Sequence, residues 1–163
     1  MNQIIIKLLS KMQRISVTVL CIMCLLFVAN CENSMYVDHS IDTILEGTWW
    51  KLEGIVNTVT GVTKVLEPRD CANCYTIMFH TDTTFFGRSS TNAVFGTYSA
   101  NYKTHNMCIT DFGGSKMGEI GDGHLFWNHD VWLTVQAFSF KKNTLKLYFD
   151  NKKKYLLFKS FEQ

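Results

Sequence analysis

QAFSFKKNTLKLYFDNKKKYLLFKSF, residues 136–161, is the stretch whose reading decides the fold. It divides into three predicted strands, Gln136 to Phe140, Thr144 to Phe149 and Lys154 to Phe161. Turns at Lys141-Lys142-Asn143 and Asp150-Asn151-Lys152 join them. Successive strand residues face opposite sides, so Leu145, Leu147 and Phe149 share one face while Lys146 and Tyr148 take the other. Three short strands with turns of three to four residues make an antiparallel meander whose apolar face needs covering.

Working upstream, the same alternation recurs. Tyr75, Ile77 and Phe79 alternate with Thr76, Met78 and His80, then a turn at Thr81-Asp82-Thr83 leads to a returning strand, Thr84 to Ser89. Gly87 within it predicts a bulge or a close backbone approach. Gly96 to Ala100 and Met107 to Thr110 form another pair, and Gly113-Gly114 and Gly118 to Gly123 read as flexible connections. A first strand runs from Gly47 to about Asn57, in which adjacent Trp49 and Trp50 must point to opposite sides. Thr58 to Ala72 reads as a hairpin-like excursion. One helix is expected from an Asp122 cap through Leu125, Phe126, Trp127, Val131, Trp132 and Val135. The fold class is therefore β-rich α+β: a small antiparallel sheet or partly closed barrel of about 7–8 strands with one packed helix.

The N-terminal segment speaks to location. Lys7, Lys11 and Arg14 precede an uncharged run of about 15 residues, shorter than the roughly 20 needed to span a bilayer. That run ends Val28-Ala29-Asn30-Cys31. An apolar residue, a small residue and then Cys resembles the lipobox of bacterial lipoproteins, with Asn30 where Gly, Ala or Ser is usual. The expected organisation is a lipoprotein signal peptide over 1–30 and lipid attachment at Cys31. A polar tether over 31–44 and a β domain over 45–161 follow. The leader holds three of the 16 basic residues and no acid, leaving 13 positive charges against 14 negative. A nearly neutral domain offers no basic face for nucleic acid. The expected place of work is the bacterial cell envelope, at the outer membrane, with the membrane itself as first partner through the anchor.

The order of these pieces resembles the META domain, also called the heat-shock-lipoprotein-like domain, a small bacterial envelope module. The matching features are Trp49, Phe79 with Asp82, Phe85-Phe86-Gly87, Asn92, Gly96-Thr97-Tyr98 and Met107-Cys108-Ile109-Thr110. They continue with Ser115-Lys116-Met117, Leu125 to Leu133 and Leu145-Lys146-Leu147. Many members of that family carry a Cys pair whose places here look like Thr91 and Glu119. No catalytic residues are established for the family, so the resemblance implies none here. Bacteroides-type envelope lipoproteins with lipocalin-like barrels are a near neighbour of the same pattern.

Of the residues with chemical potential, Cys71-Ala72-Asn73-Cys74 is the sharpest motif. A thioredoxin-like site would need Cys71 at a helix N-terminus, whereas the following residues read as strand. A structural disulfide between Cys71 and Cys74 in an oxidising compartment is favoured, with Cys74–Cys108 an alternative pairing. Zinc held by Cys71, Cys74, Cys108 and a His has the right ligand types but lacks a second close-spaced pair. His124 and His129, five apart, would sit about 140° apart around a helix. With Asp130 they read as surface positions. Asp82, Asp111, Glu119, Asp122 and Asp150 fall in turns, where an acid binds backbone. No catalytic residue, metal or cofactor is expected.

Two functional expectations follow. One is a non-catalytic envelope lipoprotein that binds an envelope protein or serves structurally. The alternative is a lipocalin-like barrel holding a small apolar ligand in a chamber lined by Trp50, Phe86 and Tyr98.

Overall fold

The computed structural model describes residues 45–161. The expected signal peptide, the expected lipid attachment at Cys31 and the expected tether lie outside the described residues. In chain order the elements are β1 (Trp49–Asn57), β2 (Thr63–Lys64), β3 (Thr76–Phe79), β4 (Thr84–Arg88), β5 (Ala93–Asn101) and β6 (Asn106–Gly114). Then come α1 (Gly123–Phe126), α2 (His129–Leu133), β7 (Ala137–Lys141), β8 (Thr144–Phe149) and β9 (Lys154–Ser160). Every pairing between strands is antiparallel; β1 pairs with β3, each strand from β3 onward with the next, and β1 also pairs back onto β9. The sheet therefore closes into a barrel of eight strands, with β2 an appended two-residue partner at the far end of β1. Closure pairs both sides of most strands, which leaves few of the exposed edges that invite aggregation.

The last three strands have the register their sequence predicts. Leu145, Leu147 and Phe149 point into the core, and Leu147 stands opposite Leu156 and Phe138. The β1–β9 seam is long, running from Trp50↔Ser160 to Asn57↔Lys154 with one irregularity at Glu53. The β6–β7 seam is short, paired only at Asn106↔Ala137, and α2 packs against β6 in the space beside it.

The barrel interior is a packed core. Trp50, Ile77, Phe79, Phe85, Phe126, Trp132, Phe138, Leu145, Leu147, Leu156 and Phe158 are essentially inaccessible to solvent. Trp132, Phe85 and Phe112 form a mutually stacked trio, Trp132 lying 5.7 Å from Phe85 and 5.1 Å from Phe112, and the Trp132 indole Nε1 donates to Phe126 O at 2.7 Å. Trp50 Nε1 donates to Leu45 O at 3.0 Å. Both buried indoles thus keep their polar atom satisfied, as burial requires.

The structure corrects several local expectations. The helical segment is broken into two because Asn128 caps α2, its side chain accepting from Asp130 N at 2.9 Å. Asp122 precedes α1 but makes no side-chain cap; its carboxylate binds Lys64 Nζ at 2.8 Å and Glu67 N at 3.0 Å instead. Gly113 and Gly114 are not a connection but the end of β6, opposite Phe95 and Val94. At Gly87 the predicted close approach is present, since a Cβ there would lie 2.0 Å from Thr76 O.

Candidate functional site, an outer aromatic stripe

Strand alternation sends Trp50, Ile77 and Phe85 inward and leaves Trp49, Met78 and Phe86 on the outside. Register then aligns them. Trp49 is opposite Met78, Met78 opposite Phe86, Phe86 opposite Phe95, and Phe95 opposite Gly113. The result is a row of large apolar side chains crossing the outer face of β1, β3, β4 and β5. Phe86 is 38% and Phe95 53% exposed. A contiguous exposed apolar patch, unlike a scattered exposed side chain, marks an interaction surface.

The row has relief. Phe86 packs edge-on against Trp49 at 5.0 Å and stacks on His80 at 5.1 Å, and Trp49 meets Phe161 at 6.3 Å. Two shallow depressions share Phe86 as their common wall. One, of about 290 Å³, lies among Trp49, Asn73, Thr76, Gly87 and Arg88. The other, of about 350 Å³, lies among His80, Thr84, Phe95, Thr97 and Asp111. Cross-strand aromatic contacts of this kind hold the rings in place.

The interior positions expected to line a ligand chamber are differently disposed. Trp50 and Tyr98 do point inward, but they are part of the packed core. Phe86 faces outward, because its neighbour Phe85 takes the inward place beneath Gly96. The Tyr98 hydroxyl shares its one proton between His80 O at 2.7 Å and Glu46 Oε1 at 3.1 Å, and Tyr102 donates to the same Glu46 oxygen. Burial first, and the Glu46 charge second, raise both phenols well above their ordinary values.

At the opposite mouth a polar knot closes the barrel. The Glu119 carboxylate accepts from Ser89 Oγ at 2.5 Å, Asn92 Nδ2 at 2.6 Å, Thr91 Oγ1 at 3.2 Å and Ser90 Oγ. Asn92 is itself fully buried and accepts from Ser115 Oγ and Met117 N. Burial alone would raise the Glu119 carboxyl, but these hydrogen bonds outweigh it and hold the group below the usual carboxylate range. Thr91 and Glu119, set by the META resemblance at the places of a Cys pair, are thus in direct contact. The knot's donors and acceptors are satisfied by one another, which describes a clasp between the β4–β5 and β6–α1 connections.

Cys71 and Cys74 form a disulfide with Cα atoms 5.4 Å apart, and Cys108 is free and exposed. The Cys71–Cys74 bond leaves those two thiols out of any metal set. The loop it closes presents the carbonyls of Cys71, Ala72 and Cys74 to the Lys51 ammonium, the latter two at 2.8 and 3.0 Å. Burial lowers the Lys51 pKa, opposed by Glu53. The Cys pair therefore shapes a carbonyl cradle that ties the loop to β1, an interaction invisible in the motif. His124 and His129 are exposed on separate helices, His129 against Phe112 and Trp127. Among the described residues no three His, Cys, Asp or Glu side chains gather as a metal set.

No family profile matches the chain. Two solved structures share its fold, each with a TM-score of 0.59 at 18% identity. One is a crystal structure of a DUF4847 family protein from Bacteroides vulgatus, matched over 74% of this chain and 96% of that one. The other is an NMR structure of a protein from Burkholderia xenovorans, matched over 74% of this chain and 86% of that one. A Tannerella forsythia protein named "Putative lipoprotein" is 33% identical over 129 residues, covering 79% of this chain and 83% of its own length. At that identity and coverage, the chain belongs to the same family as this Tannerella forsythia protein.

Proposed function

We propose that this protein is an envelope lipoprotein, lipidated at Cys31 and held at the outer membrane, whose barrel is a non-catalytic binding module. The leader ending at Cys31 and the name of the Tannerella forsythia relative support the anchor. The order of motifs supports a META-type module. The observation that carries the binding role is the outer stripe: large apolar side chains stand on the outside of a barrel whose inside is already filled. Recognition by this domain therefore uses its outer wall, centred on Phe86.

The test is recovery of envelope components by the tethered protein, compared with a Phe86→Ser/Phe95→Ser variant. Components retained by the native protein and lost by the variant support the reading. Equal recovery by both would overturn it. A co-purifying apolar small molecule in native mass spectrometry would favour the chamber reading instead.

A further inference from the structure

The stripe begins at the mouth through which the chain enters the barrel. Glu46 bridges to Phe79, Gly47 N donates to Phe79 O at 2.9 Å, and Phe161 N donates to Trp49 O at 3.0 Å. Segment 45–47, the β3–β4 hairpin at 80–83 and Phe161 thus share one mouth. Phe161, Trp49, Phe86 and His80 form an unbroken series of ring contacts there.

With Cys31 as the lipid attachment, on which this inference rests, residues 32–44 are all that separates the lipid from Leu45. Such a segment spans at most about 45 Å. The mouth is thereby confined to within about 45 Å of the bilayer. We propose that Trp49, Phe86 and Phe161 seat the barrel mouth in the headgroup–acyl boundary of the bilayer that carries the anchor. Trp suits that boundary, its ring apolar and its Nε1–H a donor to headgroups. The rim of the mouth carries Asp82 as well as Lys103 and Lys142 in its turns and Lys141 at the end of β7. These lysines add an attraction to anionic headgroups that salt screens, so the part of the docking that persists at high salt is the apolar burial.

The experiment uses the full-length lipidated protein in phosphatidylethanolamine–phosphatidylglycerol vesicles, with acyl chains brominated near the carbonyl end as a contact quencher. Trp50 and Trp132 are fully buried in the core, and Trp127 lies with α1 away from this cluster. Bromine should therefore quench about a quarter of the emission, roughly one tryptophan in four. Trp49→Phe should abolish that quenching, and Phe86→Ser, an exposed substitution, should weaken it. Flotation reads the anchor separately, with Cys31→Ser as its control. Wild-type protein that floats without being quenched refutes the docking and leaves the anchor intact. Wild-type protein that does not float refutes the anchor and the docking with it. Trp49 shielded from aqueous acrylamide but not quenched by brominated lipid identifies another occupant, a second protein or residues 32–44, and overturns the proposal.

Discussion

Replacing Glu119 with Gln keeps the side chain's size but removes its charge and turns one acceptor oxygen into a donor. Asn92 Nδ2 is fixed by the two hydrogen bonds its own Oδ1 accepts, so the Gln oxygen must take the site facing Ser89 and Asn92. The new amide then faces Ser90 and Thr91. Ser90 Oγ already accepts from Ile120 N. Hydrogen bonds to a charged group contribute about 1.5–3 kcal/mol and neutral ones about 0.5–1.5, so each of the four contacts loses about 1 kcal/mol. Glu119 is half-buried, and its donors have other acceptors such as Gly118 O and Met117 O. Discounting by half for those reasons gives about 2 kcal/mol for Gln, or roughly 8 °C in Tm, and Ala, which loses the four contacts outright, should cost more. Urea unfolding followed by tryptophan fluorescence at pH 7 measures the gap. The sign with pH is definite. The folded carboxyl lies below its unfolded value of about 4.3, so its stabilisation is present above that pH and disappears as pH falls through the folded value. Native protein and Glu119→Gln should therefore converge in acid. A gap under about 0.5 kcal/mol at pH 7, or one unchanged down to pH 3, would refute the clasp.

Gly96→Ala places a Cβ 2.0 Å from Asp111 O and 2.7 Å from the Phe85 ring, so it should cost more than about 3 kcal/mol in chemical denaturation. Gly118→Ala, with nothing within 4 Å, should stay within about 0.5. Leu145→Ala in the closed core should cost about 2–5 kcal/mol by the same measurement. Breaking the Cys71–Cys74 bond by a double Ser substitution releases a closed loop of few residues and should cost about 2 kcal/mol, read as a Tm shift under oxidising conditions. Ultraviolet titration should show Tyr75, raised to about 12 chiefly by burial, still protonated at pH 11 alongside Tyr98 and Tyr102. Because these phenols ionise more readily once unfolded, stability should be intact below pH 10 and fall as pH rises beyond it.

The meander over 136–161 was legible because its inward and outward residues differ so sharply that only one register buries Leu145, Leu147 and Phe149. Trp49-Trp50 and Phe85-Phe86 were legible only as pairs. Each pair must split between inside and outside, but which member goes in depends on β3 and β5, whose registers lie many residues away. That is why Phe86 was expected within the barrel. The stripe itself is a product of four registers at once and has no local signature. Asn128 was readable as a cap, an Asn ahead of an acid in the first turn, yet the four-residue spacing of Trp127, Val131 and Val135 suggested one unbroken helix. The Glu119 clasp joins residues about thirty apart whose composition is that of any polar loop. Only the family resemblance set Thr91 opposite Glu119.

Because β1 and β9 are neighbours, residues 45 and 161 leave the barrel at the same rim. That gives the fold a mechanical polarity. A pull on residue 45 resisted at the opposite mouth loads the β1–β9 ladder lengthwise, from Trp50↔Ser160 to Asn57↔Lys154, all rungs together. The same pull resisted near residue 161 opens that ladder one rung at a time. A domain towed by its N-terminal end is therefore strongest when whatever it holds is gripped at the far rim, beside the Glu119 clasp and the β8–β9 turn.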